Sequence, residues 1–240
     1  MYEEKRIIGF SECDYDAKLN LYNGVKIVED VISRAFKKMG YDNISMRKEK
    51  NPKMWILAKS KLTFLEDIYW NEEVTVTSRP IKVSFVKCFM LTEFYSKTQT
   101  LLARAIAECC IYDMKENKVV FLRDVDFPVL NETSKFCLAA FSVFPAESLF
   151  SYSFKKEVTS DYIDYSRHMN NAEYIRLISS SMKTEELKEN AFKRIEITYL
   201  SQTLEGDYLS GYSCKNDEKY SYILKRSDGS IAVMAQLFHQ

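Results

Sequence analysis

A stretch of sequence that recurs within one chain constrains the fold more than any composition does, because repeated patterns build repeated modules. Cys13-Asp14-Tyr15-Asp16-Ala17-Lys18-Leu19-Asn20 is echoed by Ile163-Asp164-Tyr165-Ser166-Arg167-His168-Met169-Asn170, an offset of 150. Apolar residues at spacings of three and four follow each copy: Val25, Val28, Val31, Ile32, Ala35, Phe36 and Met39 in the first, Ala172, Ile175, Ile178 and Met182 in the second. That period predicts one amphipathic helix per copy. Gly40 is placed to close the first helix, and Asn170 or Asn171 to cap the second. A second echo matches Leu62-Thr63-Phe64-Leu65-Glu66-Asp67 to Ile197-Thr198-Tyr199-Leu200-Ser201-Gln202 at an offset of 135. The shorter offset predicts a longer helix-to-strand connection in the first half, where Asp42 to Lys53 reads as a polar loop.

Both halves then turn to strand patterns, with Val74 to Ser78 and Ala107 to Tyr112 in the first. In the second, Tyr220 to Lys225 and Ile231 to Phe238 flank Ser227-Asp228-Gly229-Ser230, where Asp-Gly predicts a hairpin with a type I′ turn. Each half thus reads strand, loop, one long helix and several antiparallel strands. A helix with a broad apolar face is best buried by wrapping that sheet around it. The expected class is α+β, two tandem hotdog modules forming an internal pseudo-dimer. The 240 residues suit two modules of about 120. Their bounds are 1–130, a connector 131–150, and 151–240. The apolar run from Phe136 to Phe150, broken by Ser142, Pro145, Glu147 and Ser148, reads as a buried connector or loop.

Lys plus Arg equal Asp plus Glu at 34 each, so no global field draws the chain to nucleic acid. Six cysteines without a CxxC pair, and only two histidines, supply no metal-site spacing and read as reduced core thiols. No cofactor is expected. The N-terminus MYEEKRIIGF lacks the apolar core of a secretion signal, and no apolar run reaches membrane-spanning length. A soluble cytoplasmic protein, monomer or homodimer, without membrane insertion is expected.

The segment from Ser160 to Ile175, with Asp164, Ser166, His168, Asn170, Asn171 and Tyr174, resembles the acyl-acyl-carrier-protein (acyl-ACP) thioesterases of plants and bacteria. Their signature is roughly S-D-x-D-x-N-x-H-x-N-N-x-x-Y. The resemblance extends from about Phe10 to Leu209, with Trp55-Ile56-Leu57 similar to the family's Trp-rich entry into its first sheet. It implies a thioester hydrolase that releases free fatty acid from acyl carrier protein, with acyl-chain accommodation in the first module and catalysis in the second. Asp164 and His168 fall on the family's catalytic aspartate and histidine, and Ser166 on its asparagine. Gln202 falls on its catalytic glutamate and Thr203 on a neighbouring cysteine, both as strand residues facing the site. Asn170, Asn171, Thr203 and Trp55 are carried over as substrate-binding.

Gln202 cannot take a proton at neutral pH, so a general base must be sought elsewhere. Three arrangements are open: His168 activates water while Asp164 orients or stabilises the imidazole; Asp164 attacks the thioester or activates water itself; or the site binds acyl groups without cleaving them. The first is preferred. An acyl-coenzyme A thioesterase is the nearest alternative enzyme. His239, one residue from the end, is expected to fray, leaving His168 as the firmly held imidazole. Each residue also has a plainer reading: Asp164 and Ser166 as turn formers, Asn170 and Asn171 as helix caps, Trp55 as core. Lys155, Lys156, Arg167, Lys193 and Arg194, which flank the motif, read as a solvated face.

Overall fold

The computed structural model describes residues 1–128 and 141–239. The chain divides into two compact units, Met1–Ala139 and Ala140–Gln240. In the first unit, β1 (Tyr2–Ile7) leads through a one-turn 3₁₀ helix to α1 (Leu21–Lys38), then α2 (Asn43–Arg47), β2 (Lys53–Phe64), β3 (Glu73–Val83), β4 (Cys88–Tyr95), β5 (Leu101–Asp113) and the short β6 (Lys118–Val119). In the second, β7 (Ser151–Glu157) is followed by another 3₁₀ turn, α3 (Asn171–Ser180), α4 (Thr184–Asn190), β8 (Arg194–Tyr199), β9 (Tyr208–Lys215), β10 (Lys219–Lys225) and β11 (Ile231–Phe238).

The sheet orders coincide: β1-β3-β4-β5-β2 in the first unit and β7-β9-β10-β11-β8 in the second. The strand pairs within each unit are antiparallel. Each unit is a hotdog module, and the two follow one another in tandem.

Helix α1 forms because its apolar stripe repeats at helical spacing. Val25, Val28, Val31, Ile32, Ala35 and Phe36 are all buried, and the helix packs against β1, β2, β3 and β4. Burial of each large aliphatic side chain contributes about 1.5–3 kcal/mol. Asn20 caps the start by accepting the Asn23 N–H. Gly40, at φ 89°, closes the end: its N–H donates to Lys37 O and that of Tyr41 to Phe36 O, the paired bonds of a Schellman motif. The indole of Trp55 stacks on Phe36 at 3.9 Å and 6°.

The shorter α3 buries Ala172, Tyr174, Ile175, Leu177 and Ile178 and ends before Met182. The run from Asp42 to Lys53 is not all loop, since Asp42 caps the five-residue α2 by accepting the Ile44 and Ser45 N–H groups. Helix α4 occupies the matching place in the second unit. Neither short helix has the apolar period of a buried one.

The hairpin between β10 and β11 forms as expected, with a different turn. Only Gly229 has positive φ, at 82°, so Asp228 does not adopt the conformation that type I′ requires. Gly229 N–H donates to Arg226 O and Arg226 N–H to Ser230 O, the three-residue loop with a left-handed glycine. Cys137 and the connector residues 131–140 lie outside the described residues. From 141 onward the connector is exposed rather than buried, with Val143 88% exposed. It crosses polar ground: Ser142 N–H donates to Glu196 at 2.6 Å, and Lys219 to Val143 O at 3.1 Å.

Among the described residues Cys13, Cys88, Cys109, Cys110 and Cys214 are free thiols. Burial pushes Cys88 up to about 12 and Cys109 well above the ordinary thiol value, so both are inert at neutral pH.

One close approach fixes the edge of the second sheet. Gly211 of β9 pairs with Phe154 of β7, whose ring covers it so closely that a Cβ would meet ring carbons at 2.3–2.7 Å. Gly211→Ala is expected to lower stability by about 1–3 kcal/mol by overpacking, read as a fall in midpoint by thermal or urea unfolding. Phe154→Leu in the same chain should recover part of the loss; an unchanged midpoint in Gly211→Ala would contradict the contact.

Candidate active site

The repeated octapeptide folds into the same small loop twice. Cys13 bridges Leu19 and Ile163 bridges Met169 across antiparallel single pairs. The Asp14 N–H donates to Lys18 O at 2.8 Å and the Asp164 N–H to His168 O at 3.1 Å. The residue at the tip is left-handed in both, Ala17 at φ 59° and Arg167 at φ 67°. Each loop is pinned to the segment beyond the second echo: Leu19 N–H donates to Ile68 O at 2.8 Å, and Met169 N–H to Thr203 O at 2.9 Å. The two offsets read from the sequence, 150 and 135, relate these hydrogen bonds residue for residue.

In the second unit this loop presents His168 two residues ahead of the N-cap of α3. Asn170 is that cap, its side-chain oxygen accepting the Ala172 N–H at 3.0 Å. Asn171 is the first helical residue, and its carbonyl accepts from the Tyr199 hydroxyl at 3.4 Å. Asp164 is exposed, and its carboxylate organises the loop. One oxygen accepts the Ser166 N–H at 2.7 Å and the Ser166 hydroxyl; the other accepts the Asn170 amide at 3.3 Å. Ser166 therefore buttresses Asp164. His168 is half-buried.

Gln202 and Thr203 belong to the loop between β8 and β9, not to a strand. The chain leaves the ladder at Leu200 and Ser201, whose N–H groups both donate to Ala232 O, at 2.9 and 3.3 Å. Gln202 is exposed, while Thr203 is 0% exposed with its hydroxyl engaged by Tyr174 at 2.9 Å. That makes Thr203 a buried tie in place of the substrate contact read from the sequence. The Met169–Thr203 bond brings residues 168–169 beside 202–203. Asp164, Ser166, His168, Asn170, Asn171 and Gln202 are thus gathered around one loop and one helix start.

Trp55 is not part of this unit. It belongs to the first unit, where its ring lies between Phe36 and Phe127 and its indole N–H donates to Tyr41 O at 2.9 Å. His239 does not fray: its Nδ1 pairs with Asn190 O at 2.9 Å and its ring stacks on Phe192 at 4.9 Å. Tyr174, the motif's tyrosine, lies buried on α3, and the sequence reading gave it no role in the site. The signal was its place in the motif together with a hydroxyl on a buried helix position.

The first unit shows what the same frame holds when it is not built around histidine. Lys18 stands where His168 stands, and by the offset of 135 Asp67 stands where Gln202 stands. Lys18 Nζ and Asp67 Oδ2 form an ion pair at 2.8 Å, which raises the Lys18 pKa through that hydrogen bond. In the first unit, then, the side chains at these two positions reach one another. Among the described residues no three His, Cys, Asp or Glu side chains gather as metal ligands, and no helix is long and apolar enough to cross a membrane.

Residues 8–136 match the thioesterase-like superfamily, and residues 150–236 match the acyl-ACP thioesterase C-terminal domain. Among solved structures, the chain is similar to an acyl-ACP thioesterase from Bacteroides thetaiotaomicron, with a TM-score of 0.86 at 13% identity, covering 100% of this chain and 97% of that one. It is also similar to the 12:0-ACP thioesterase from Umbellularia californica, at 0.84 and 12%, covering 100% and 96%. A putative oleoyl thioesterase from Lactobacillus plantarum gives 0.80 and 13%, covering 98% and 94%. At such identities the likeness is one of fold. No curated protein matches the sequence.

Asp164 is expected to act on loop geometry through its acceptor oxygens. Asp164→Ala should cost about 1 kcal/mol of stability, kept small by its exposure, while Asp164→Asn retains an acceptor for the Ser166 N–H and should cost less. Chemical denaturation of the two variants checks that order; equal losses would show that the acceptor is unimportant.

Proposed function

This chain belongs to the thioesterase-like superfamily, and from that premise we propose that it hydrolyses fatty acyl thioesters of acyl carrier protein, with His168 of the second unit as general base. The observation that carries this reading is the placement of His168. It sits on a loop tied both to the start of α3 and to the segment bearing Gln202, while the matching frame of the first unit holds an ion pair.

The chemistry follows from what each group can do. The imidazole accepts a proton from water as the water oxygen bonds to the thioester carbonyl carbon. The tetrahedral oxyanion then collapses, the carbon–sulfur bond breaks, and the sulfur leaves with the proton returned by the imidazolium. The products are a free fatty acid and the thiol of the carrier. The nearby N-terminus of α3 favours the negative charge of the intermediate through its dipole, while the Ala172 and Glu173 N–H groups are held by Asn170. Asp164, occupied by Ser166 and Asn170, shapes the loop. Gln202, being neutral, orients. Substrate groups near the helix start fall to Asn170 and Asn171.

Acyl carrier protein is preferred to coenzyme A on two grounds. Residues 150–236 match the C-terminal domain of acyl-ACP thioesterases. The chain also shares its whole length with two structures whose names include acyl-ACP or 12:0-ACP.

Purified protein should release thiol from acyl-ACP faster than from acyl-coenzyme A of the same chain length. His168→Ala should lower kcat/KM by about 10² or more, and Asp164→Asn by less than about tenfold. Gln202→Glu, which supplies a carboxylate able to balance the imidazolium, should raise kcat. Near-normal turnover in His168→Ala would remove the imidazole from the mechanism. Acyl-ACP bound without turnover would replace the enzyme by an acyl-binding protein.

A further inference from the structure

We infer that Tyr174 and Thr203 form a positioning pair that sets the relation between His168 and Gln202, an inference that rests on the function proposed above. Tyr174, on the first turn of α3, is 3% exposed, and its hydroxyl donates to Thr203 Oγ1 at 2.9 Å. Burial pushes the phenol up to about 12, so it remains a donor throughout the working pH range.

Thr203 joins three parts of the site. Its side chain is tied to α3 through Tyr174. Its carbonyl accepts the Met169 N–H at 2.9 Å, and the peptide bearing that N–H has as its other end the His168 carbonyl, which accepts from Asp164 at 3.1 Å. The residue before it is Gln202. A shift of Thr203 would therefore move Gln202 and the His168–Met169 peptide together.

The first unit supplies the control. There the same backbone frame closes, Leu19 N–H to Ile68 O at 2.8 Å and Asp14 N–H to Lys18 O at 2.8 Å. The side-chain tie is absent, because the matching residues are Gly24 for Tyr174 and Ile68 for Thr203. Ile68 is 1% exposed, so an aliphatic side chain suffices to bury this position and close the loop. A buried hydroxyl pair contributes little more to stability than such packing, since each group gives up its hydrogen bonds to water. What the pair adds is direction: it holds Thr203 in one rotamer and in register with the helix. It occurs in the unit that carries His168, where register governs the reaction, and not in the unit where Lys18 and Asp67 find each other by charge.

The test uses the whole chain with Tyr174→Phe, Thr203→Val and Thr203→Ser. The first two remove the hydrogen bond at nearly constant volume, and the third retains it. Four quantities are read: unfolding midpoint, kcat, KM, and the titration of each histidine by NMR. Only His168 and His239 are present, and His239, anchored to Asn190, serves as internal reference.

Tyr174→Phe is expected to lower kcat about tenfold, in line with the sensitivity of rates to sub-ångström misplacement, with KM within about twofold. The same variant should shift the His168 titration and leave that of His239 in place. Thr203→Val should behave as Tyr174→Phe does, and Thr203→Ser, which keeps the hydroxyl, should leave kcat and the His168 titration as in the parent. Variants that lose stability alone, with kcat, KM and the His168 titration as in the parent, would overturn the inference and leave the pair structural. If Thr203→Val fails to fold, Tyr174→Phe decides. Should His168→Ala retain full hydrolysis, the proposed function fails while the His168 titration still decides on the pair.

Discussion

The peptide linking His168 to Met169 is held from both ends, and the rest of the site depends on that. Its carbonyl takes the Asp164 N–H and its N–H gives to the Thr203 carbonyl. With both bonds closed, the backbone that carries the histidine is held beside the helix start. A backbone N–H or C=O left unpaired in a half-buried place costs of the order of 1–3 kcal/mol, so the two bonds also resist fraying. The same closure around the Lys18–Leu19 peptide shows that it belongs to the fold. What differs is the side chains mounted on it.

Those side chains separate the units. Lys18 and Asp67 carry opposite charges and form a pair that needs no further orientation. His168 and Gln202 carry no such attraction when the imidazole is neutral, so their relation must come from packing and hydrogen bonds around them. The second unit supplies those: the Asp164 carboxylate gathering Ser166 and Asn170, and the buried tie between Tyr174 and Thr203. Asp14 gathers its own loop as well, accepting the Asp16 and Lys18 N–H groups, so what sets the second copy apart is the tie between Tyr174 and Thr203.

Much of this was legible in the sequence because it is local. The octapeptide, the helical stripes after it, and Gly40 as a helix stop all depend on residues a few positions apart, and the offsets of 150 and 135 relate the hydrogen bond from Met169 to Thr203 to that from Leu19 to Ile68. The misreadings involve choices that distant parts of the chain make. Gln202 and Thr203 look like strand residues until Leu200 and Ser201 both turn to one carbonyl, that of Ala232, and end the ladder. His239 looks frayed until Phe192 and Tyr220, which are far from it in sequence, enclose its ring. Asp228 looks ready for a left-handed turn, yet Gly229 alone takes that conformation because a three-residue loop meets the strands at the right twist. Tyr174 stood in the motif without a role, because the partner that gives it one, Thr203, is 29 residues away.

In the proposed reaction, Gln202 standing where the resemblance implies a glutamate would change where charge must be balanced. A carboxylate beside the imidazole would lower the cost of protonating it and raise its basicity. An amide offers a hydrogen bond but no counter-charge, so the imidazolium formed as water is deprotonated must be compensated by the oxyanion forming beside it. That coupling is favourable only when the two charges lie close and at a fixed separation, because Coulomb attraction falls with distance and a half-exposed site is screened by water. A site with Gln202 therefore demands tighter geometry than one with Glu, and the holding of the His168–Met169 peptide from both ends is what provides it.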